Sequence, residues 1–119
     1  MRALLDTNIL IDYLAGIDAA RTELALHDTP SISQITWMEV LVGARDACEA
    51  ARLETFLRRF DRVPIDDAVS TLAVEIRRDR GIRLPDAIIW ASARCHEAIL
   101  VTRNTRDFPR DDPGVRVPY

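Results

Sequence analysis

Two short apolar runs constrain this chain most. Ala3-Leu4-Leu5 stops at Asp6, and Ile99-Leu100-Val101-Thr102 carries β-branched residues. Neither alternates apolar with polar, so each reads as a strand covered on both faces. Helical periodicity fills the space between them. Leu53, Phe56, Leu57 and Phe60 fall at i, i+3, i+4 and i+7, as do Val69, Leu72, Ala73 and Ile76, and each set makes one apolar stripe. Asn8 to Leu14 reads as a helix closed by Gly16, Asp18 to His27 as one capped by Asp18, and Gln34 to about Ala44 as a third. Ser31–Ser33, Arg62–Ile65 and Val115–Val117 are candidate short strands, with a turn at Asp28–Pro30. Gly81 ends one helix, and Pro85 starts another that is apolar nearly all round, through Ala87, Ile88, Ile89, Trp90, Ala91 and Ala93. Such a helix packs in the middle of a domain. Strands alternating with helices predict an α/β fold with a mostly parallel sheet of four to five strands.

A length of 119 residues suits one domain, spanning 1–119. No apolar run is long enough to span a membrane, and the opening MRALLDTN turns polar too soon for a signal peptide. Cys48 and Cys95 form no metal-like or redox-like pair, so a reducing cytoplasm is the expected setting. The formal charge of −3 excludes nucleic-acid binding by bulk positive charge. All sixteen basic residues are arginine. Without lysine there is no P-loop and no Schiff base. His27 and His96 are isolated and read as surface or helix-end residues.

In open α/β sheets the site lies beyond the carboxyl ends of the strands. Four acids stand at such junctions: Asp6 in LLDTN, Glu39 in ITWME, Asp86 in LPDA and Asp107 in VTRNTRDF. Each also has a purely structural reading. Asp6 fits an Asx-turn, Glu39 a capping box with Thr36, Asp86 a helix start after Pro85, and Asn104 with Asp107 a similar cap. Converging on one crevice, however, four carboxylates repel strongly unless a cation neutralises them. Hard oxygen donors without His or Cys suit Mg²⁺ or Mn²⁺. Such an ion serves phosphoryl chemistry.

The motifs LLDTNILIDYL, MEVLVGA, LPDAIIWA and LVTRNTRDF, in this order, resemble the PIN-domain ribonucleases, and among them the VapC-type toxins of toxin–antitoxin pairs. The likeness runs from Met1 to the terminal VRVPY. It implies a three-layer α/β/α sandwich, a metal-dependent endoribonuclease leaving 5′-phosphate and 3′-hydroxyl ends, one or two Mg²⁺ or Mn²⁺ ions, a cognate antitoxin and a homodimer. Matched residue by residue, Asp6, Glu39 and Asp86 correspond to the family's acidic triad. The fourth acidic place holds Asn104, with Asp107 three residues on, and either fits. Thr7, Asn8, Thr102 and Asn104 correspond to supporting hydrogen-bond residues.

Arg77, Arg78, Arg80 and Arg83 surround the turn before Asp86, and Arg103 and Arg106 flank the fourth acidic place. They are either a solvated helix end or contacts that guide RNA phosphates into an acidic cleft, Arg80, Arg83, Arg103 and Arg106 being the candidates. Trp37 and Trp90 read as core or interface residues. Leu14, Trp37, Leu41 and Phe60 read as apolar positions beyond the need of one core, available for pairing with a second copy. Two other functions remain open on the sequence: a housekeeping nuclease of RNA processing, and a non-catalytic binding module whose acids are only caps.

Overall fold

The computed structural model describes residues 2–119. Five strands, β1 (Arg2–Leu5), β2 (Ser31–Ser33), β3 (Asp61–Val63), β4 (Ala98–Val101) and β5 (Val115–Arg116), form one all-parallel sheet in the order β3-β2-β1-β4-β5. Six helices connect them: α1 (Thr7–Leu14), α2 (Asp18–Ala25), α3 (Gln34–Val42), α4 (Ala47–Leu57), α5 (Asp67–Arg80) and α6 (Leu84–Cys95).

Successive residues of a strand face opposite sides, so an unbroken apolar run must serve two cores. That is how β1 is used. Leu4 packs with Leu100, Val69, Ala73, Ala87 and Trp90, under α5 and α6. Ala3 and Leu5 pack with Val101, Ile9, Leu10, Leu24, Val40 and Leu57, under α1 to α4. The result is the three-layer α/β/α sandwich that the resemblance implied.

Several boundaries moved for local reasons. Strand β3 stops at Val63, because Pro64 has no N–H to give a ladder. Asp18 is not the cap of α2 but its first residue; extended Ile17 precedes it, and the carboxylate faces the positive end of the helix dipole. Phe60 lies beyond α4 and is buried with the second core, while Trp37 and Leu41 pack partly buried against the same cluster. Of the four apolar positions set aside for pairing, only Leu14 is exposed; Ile11 on the same helix and Met38 and Val42 on α3 are exposed as well. Gly81 closes α5 at φ +69, a left-handed conformation that favours glycine.

The order β3-β2-β1-β4-β5 reverses direction between β1 and β4. Each half of the sheet is wound away from that seam, which leaves a crevice at the carboxyl ends of these two strands. Leu5 pairs with Val101 across the seam, so Asp6 and Thr102 emerge next to each other.

Candidate active site

Asp6 leaves β1 at the seam, anchored by its N–H on the Val101 carbonyl at 2.9 Å. Its carboxylate caps α1, accepting from the Thr7 N–H at 2.7 Å. The other oxygen accepts from the Thr102 hydroxyl at 2.7 Å and the Asn8 amide at 3.1 Å. Thr102, fully buried, also accepts from the Asn104 N–H at 2.9 Å. Asp6 is only 4 % exposed, and among the described residues no basic side chain pairs with it. Burial pushes its pKa up to about 6, with Asp86 and Glu39 adding repulsion and the bonds from Thr102 and Thr7 opposing.

Asp86 stands in the first turn of α6. It is buried at 7 % exposure, and Arg83 reaches one carboxylate oxygen with two nitrogens at 3.3 Å. Burial raises its pKa; Arg83 opposes that, and the neighbouring Asp107 carboxylate adds to it. Glu39, on α3, accepts from the Thr7 hydroxyl at 2.7 Å. A threonine has one proton to give, so the 2.9 Å contact between Thr7 and Thr36 must run from Thr36 to Thr7. This chain replaces the capping box expected between Thr36 and Glu39. The cap of α3 is Ser33.

Asp6, Glu39 and Asp86 therefore line one crevice of about 370 Å³, with Thr7, Asn8, Asn104 and Arg83. Asp107 does not line it. It sits in the wall of a neighbouring pocket, tied to Asn104 by reciprocal bonds: the Asn104 amide donates to its carboxylate at 3.0 Å, and its own N–H donates to Asn104 at 3.2 Å. The cap reading holds for that pair. Asn104 lines the crevice, and Asp107 stands directly behind it, bonded to Asn104 and close enough to Asp86 to raise its pKa.

Among the described residues no three acidic, histidine or cysteine side chains close to the spacing of a metal-ligand set. Glu39 is turned to Thr7 and Asp86 to Arg83. The donor chemistry nonetheless fits a hard divalent cation. The groups are all oxygen, and a buried carboxylate without a cationic partner is what such an ion relieves.

The four candidate arginines separate into two kinds. Arg83 is bound to Asp86, and Arg103 to Asp12 at 2.9 Å, whereas Arg80 and Arg106 line the pocket with Asp107 and have no acidic partner among the described residues. Asp12 is the crevice residue that sequence reasoning missed. It lines the opening and accepts from Arg103 and from the Tyr119 hydroxyl at 2.9 Å. Its spacing from Asn8, i to i+4 on one helix face, was the available signal. Away from the site, buried Glu23 accepts two bonds from Arg116 at 2.8 Å and contacts His27, joining α2 to β5. His27 thus sits beside a helix end, and His96 caps α6, as the sequence suggested.

The description "PIN domain" belongs to the family model that matches residues 3–112. Ribonuclease VapC19 of Mycobacterium tuberculosis is 32% identical, over 98% of both chains. A tRNA(fMet)-specific endonuclease VapC of Shigella flexneri is also 32% identical, over 92% of both. A toxin–antitoxin complex from Klebsiella pneumoniae superposes with a TM-score of 0.92 at 42% identity, covering 98% of each chain. The seam, the acids at its mouth and these relatives along nearly the whole length lead to one conclusion: the chain belongs to the PIN domain family.

Proposed function

We propose that residues 1–119 form one PIN domain whose crevice is the active site of a divalent-metal-dependent endoribonuclease, the toxin of a toxin–antitoxin pair. The observation that carries this reading is Asp6: a buried carboxylate at the seam, without a cationic partner among the described residues, sharing its crevice with Asp86 and Glu39. Asp6, Asp86 and Glu39 would hold Mg²⁺ or Mn²⁺. When bound, the ion offsets charge on an RNA phosphodiester and makes water a stronger nucleophile near neutral pH. The protein's part is positioning. Thr102, Asn8 and the Thr7 N–H fix the Asp6 carboxylate against rotation, leaving it one orientation towards the opening. Glu39 is the exposed acid of the three, and its remaining oxygen orients the attacking water and accepts its proton. The four-residue proton-donor shell of Thr7, Asn8, Thr102 and Asn104 is supporting in this scheme and touches no substrate.

The relatives named as toxins and ribonucleases support the assignment of RNA as substrate and of an antitoxin as partner. The antitoxin segment would cross the apolar groove of about 390 Å³ between α1, α3 and α4, which shares Ile11 with the crevice, and set a cation against the acids. Among the described residues no helix is long and apolar enough to cross a membrane.

The test is cleavage of a mixed RNA pool by the purified chain with Mn²⁺, with EDTA, and with Asp86→Asn. Cleavage is expected only for the parent with metal, and Asp86→Asn should lose it by a hundredfold or more, on the order of 3 kcal/mol of barrier. Equal cleavage by parent and Asp86→Asn would refute the assignment.

A further inference from the structure

The pocket beside the crevice has a different character from the crevice itself. It encloses about 350 Å³ and is lined by Arg80, Ile82, Thr105, Arg106, Asp107 and Pro109. Two guanidinium groups outnumber the one carboxylate, and that carboxylate is already bonded to Asn104. Arg80 ends α5 with its guanidinium carbon 4.5 Å from the centre of the Trp90 ring. Trp90 is 1 % exposed and packed edge-on against Phe108 at 5.4 Å, so the ring is a fixed platform. A cation held against an aromatic ring loses little freedom on gaining a further partner, and the guanidinium N–H groups remain available as donors. Arg106 and Thr105 line the same space from the loop after β4. Asp107 stands between this space and Asp86, whose carboxylate feels its charge.

We propose that this pocket is a phosphate subsite in which Arg80, Arg106 and Thr105 hold a backbone phosphate of the RNA next to the one in the acidic crevice. It rests on the ribonuclease reading above and deepens it. An acidic crevice repels RNA on approach, so a neighbouring basic pocket supplies the attraction that places the strand. Asp107 acts as a partition. Its charge keeps a phosphate from settling midway, so the strand is registered with one phosphate on each side. Arg83 and Arg103, bound to Asp86 and Asp12, are not part of this subsite.

The experiment measures binding of a short fluorescein-labelled RNA of mixed sequence across a salt series, in EDTA and in the Asp86→Asn background to prevent cleavage. Arg106→Ala, Arg80→Gln and their double variant are compared with Arg106→Lys and with Arg21→Ala, a charge-matched change on α2 outside both pockets. Each lost phosphate contact should reduce the slope of log affinity against log salt by about 0.7 and weaken binding roughly fivefold near 0.1 M salt. Arg106→Lys should keep the slope, and Arg21→Ala should leave both quantities unchanged. Melting curves guard against a folding artefact for Arg80→Gln, and Arg106, exposed in a loop, carries the test if that variant is unstable. A double variant with parental affinity and slope, or an Arg21→Ala effect as large as that of Arg106→Ala, overturns the subsite. If the parent with Mn²⁺ cleaves RNA while the double variant binds like its own parent, or no protein in the series binds RNA, the subsite falls and the ribonuclease reading stands; if the parent with Mn²⁺ cleaves no RNA, the ribonuclease reading falls and the subsite with it.

Discussion

Replacing Asp6 with asparagine should make the metal-free protein less stable in acid and more stable at neutral pH. Folding raises the Asp6 pKa from 3.8 to about 6. At 1.36 kcal/mol per unit, this is about 3 kcal/mol, and Asp6 is too buried for solvent to discount it much. For a raised acid the sign is fixed. The native state holds the proton more tightly, so the stabilisation is fully present below 3.8 and is lost as pH rises through about 6. Asparagine does not titrate, so it escapes that loss. It keeps the shape and one acceptor but cannot accept from Thr7, Thr102 and Asn8 together, a cost of about 1 kcal/mol at every pH. Near pH 4 about 0.5 kcal/mol of that stabilisation is already lost, so Asp6→Asn should be about 0.5 kcal/mol less stable than the parent there and about 2 kcal/mol more stable near pH 7.5. For a chain of 119 residues, 1 kcal/mol moves Tm by about 4 °C, so the difference between the two melting temperatures should swing by roughly 10 °C. Melting curves in EDTA from about pH 4 to pH 8 measure it. Adding Mn²⁺ near pH 7.5 at a hundredfold excess over Kd should then raise the parent by about 2.7 kcal/mol and the variant by much less. Parallel pH curves for the two proteins would refute the account of Asp6 as a destabilising buried charge.

Thr102→Val removes the 2.7 Å bond to Asp6 and the acceptor for the Asn104 N–H, so the Asp6 pKa should climb further and stability fall by about 1–3 kcal/mol, read by carboxyl-carbon NMR and melting. Arg116 holds the Glu23 carboxyl below its ordinary 4.5, so the stability from this pair is present above that value and is lost as pH falls through the folded one. Glu23→Gln should cost about 1–2 kcal/mol near neutral pH, reduced by the half-exposure of Arg116, and the gap to the parent should close in acid. Phe108→Ala empties a fully buried site against Trp90 and should cost about 3–5 kcal/mol in a denaturant titration.

The layers of the fold were legible because apolar runs and helical stripes report burial directly. Leu4 and Leu5 had to face opposite ways, and the two cores show it. The acids at strand ends were legible for a related reason: Asp6 stands directly where an unbroken apolar run stops. What supports them was not. Periodicity says nothing about which hydroxyl will meet Glu39, and the local T-x-x-E spacing pointed to Thr36 when the partner is Thr7, remote in sequence. Asp107 carries the right chemistry at the right end of a strand, yet its own turn with Asn104 holds it in the next pocket. The Glu23–Arg116 pair joins residues 93 apart, and no local pattern encodes such a contact.

The bond from Thr102 to Asp6 spans 96 residues, and it links the first strand of the sheet to the fourth in chain order. During synthesis Asp6, Glu39 and Asp86 all leave the ribosome before the strand that completes the seam. Until β4 docks, β1 has an open edge, Asp6 lacks the Val101 carbonyl that anchors it, and the Thr102 hydroxyl is missing. A truncated or still-growing chain thus carries the acids without their shape. The crevice therefore takes its shape only once β4 has docked beside β1, whatever the state of the three acids before then.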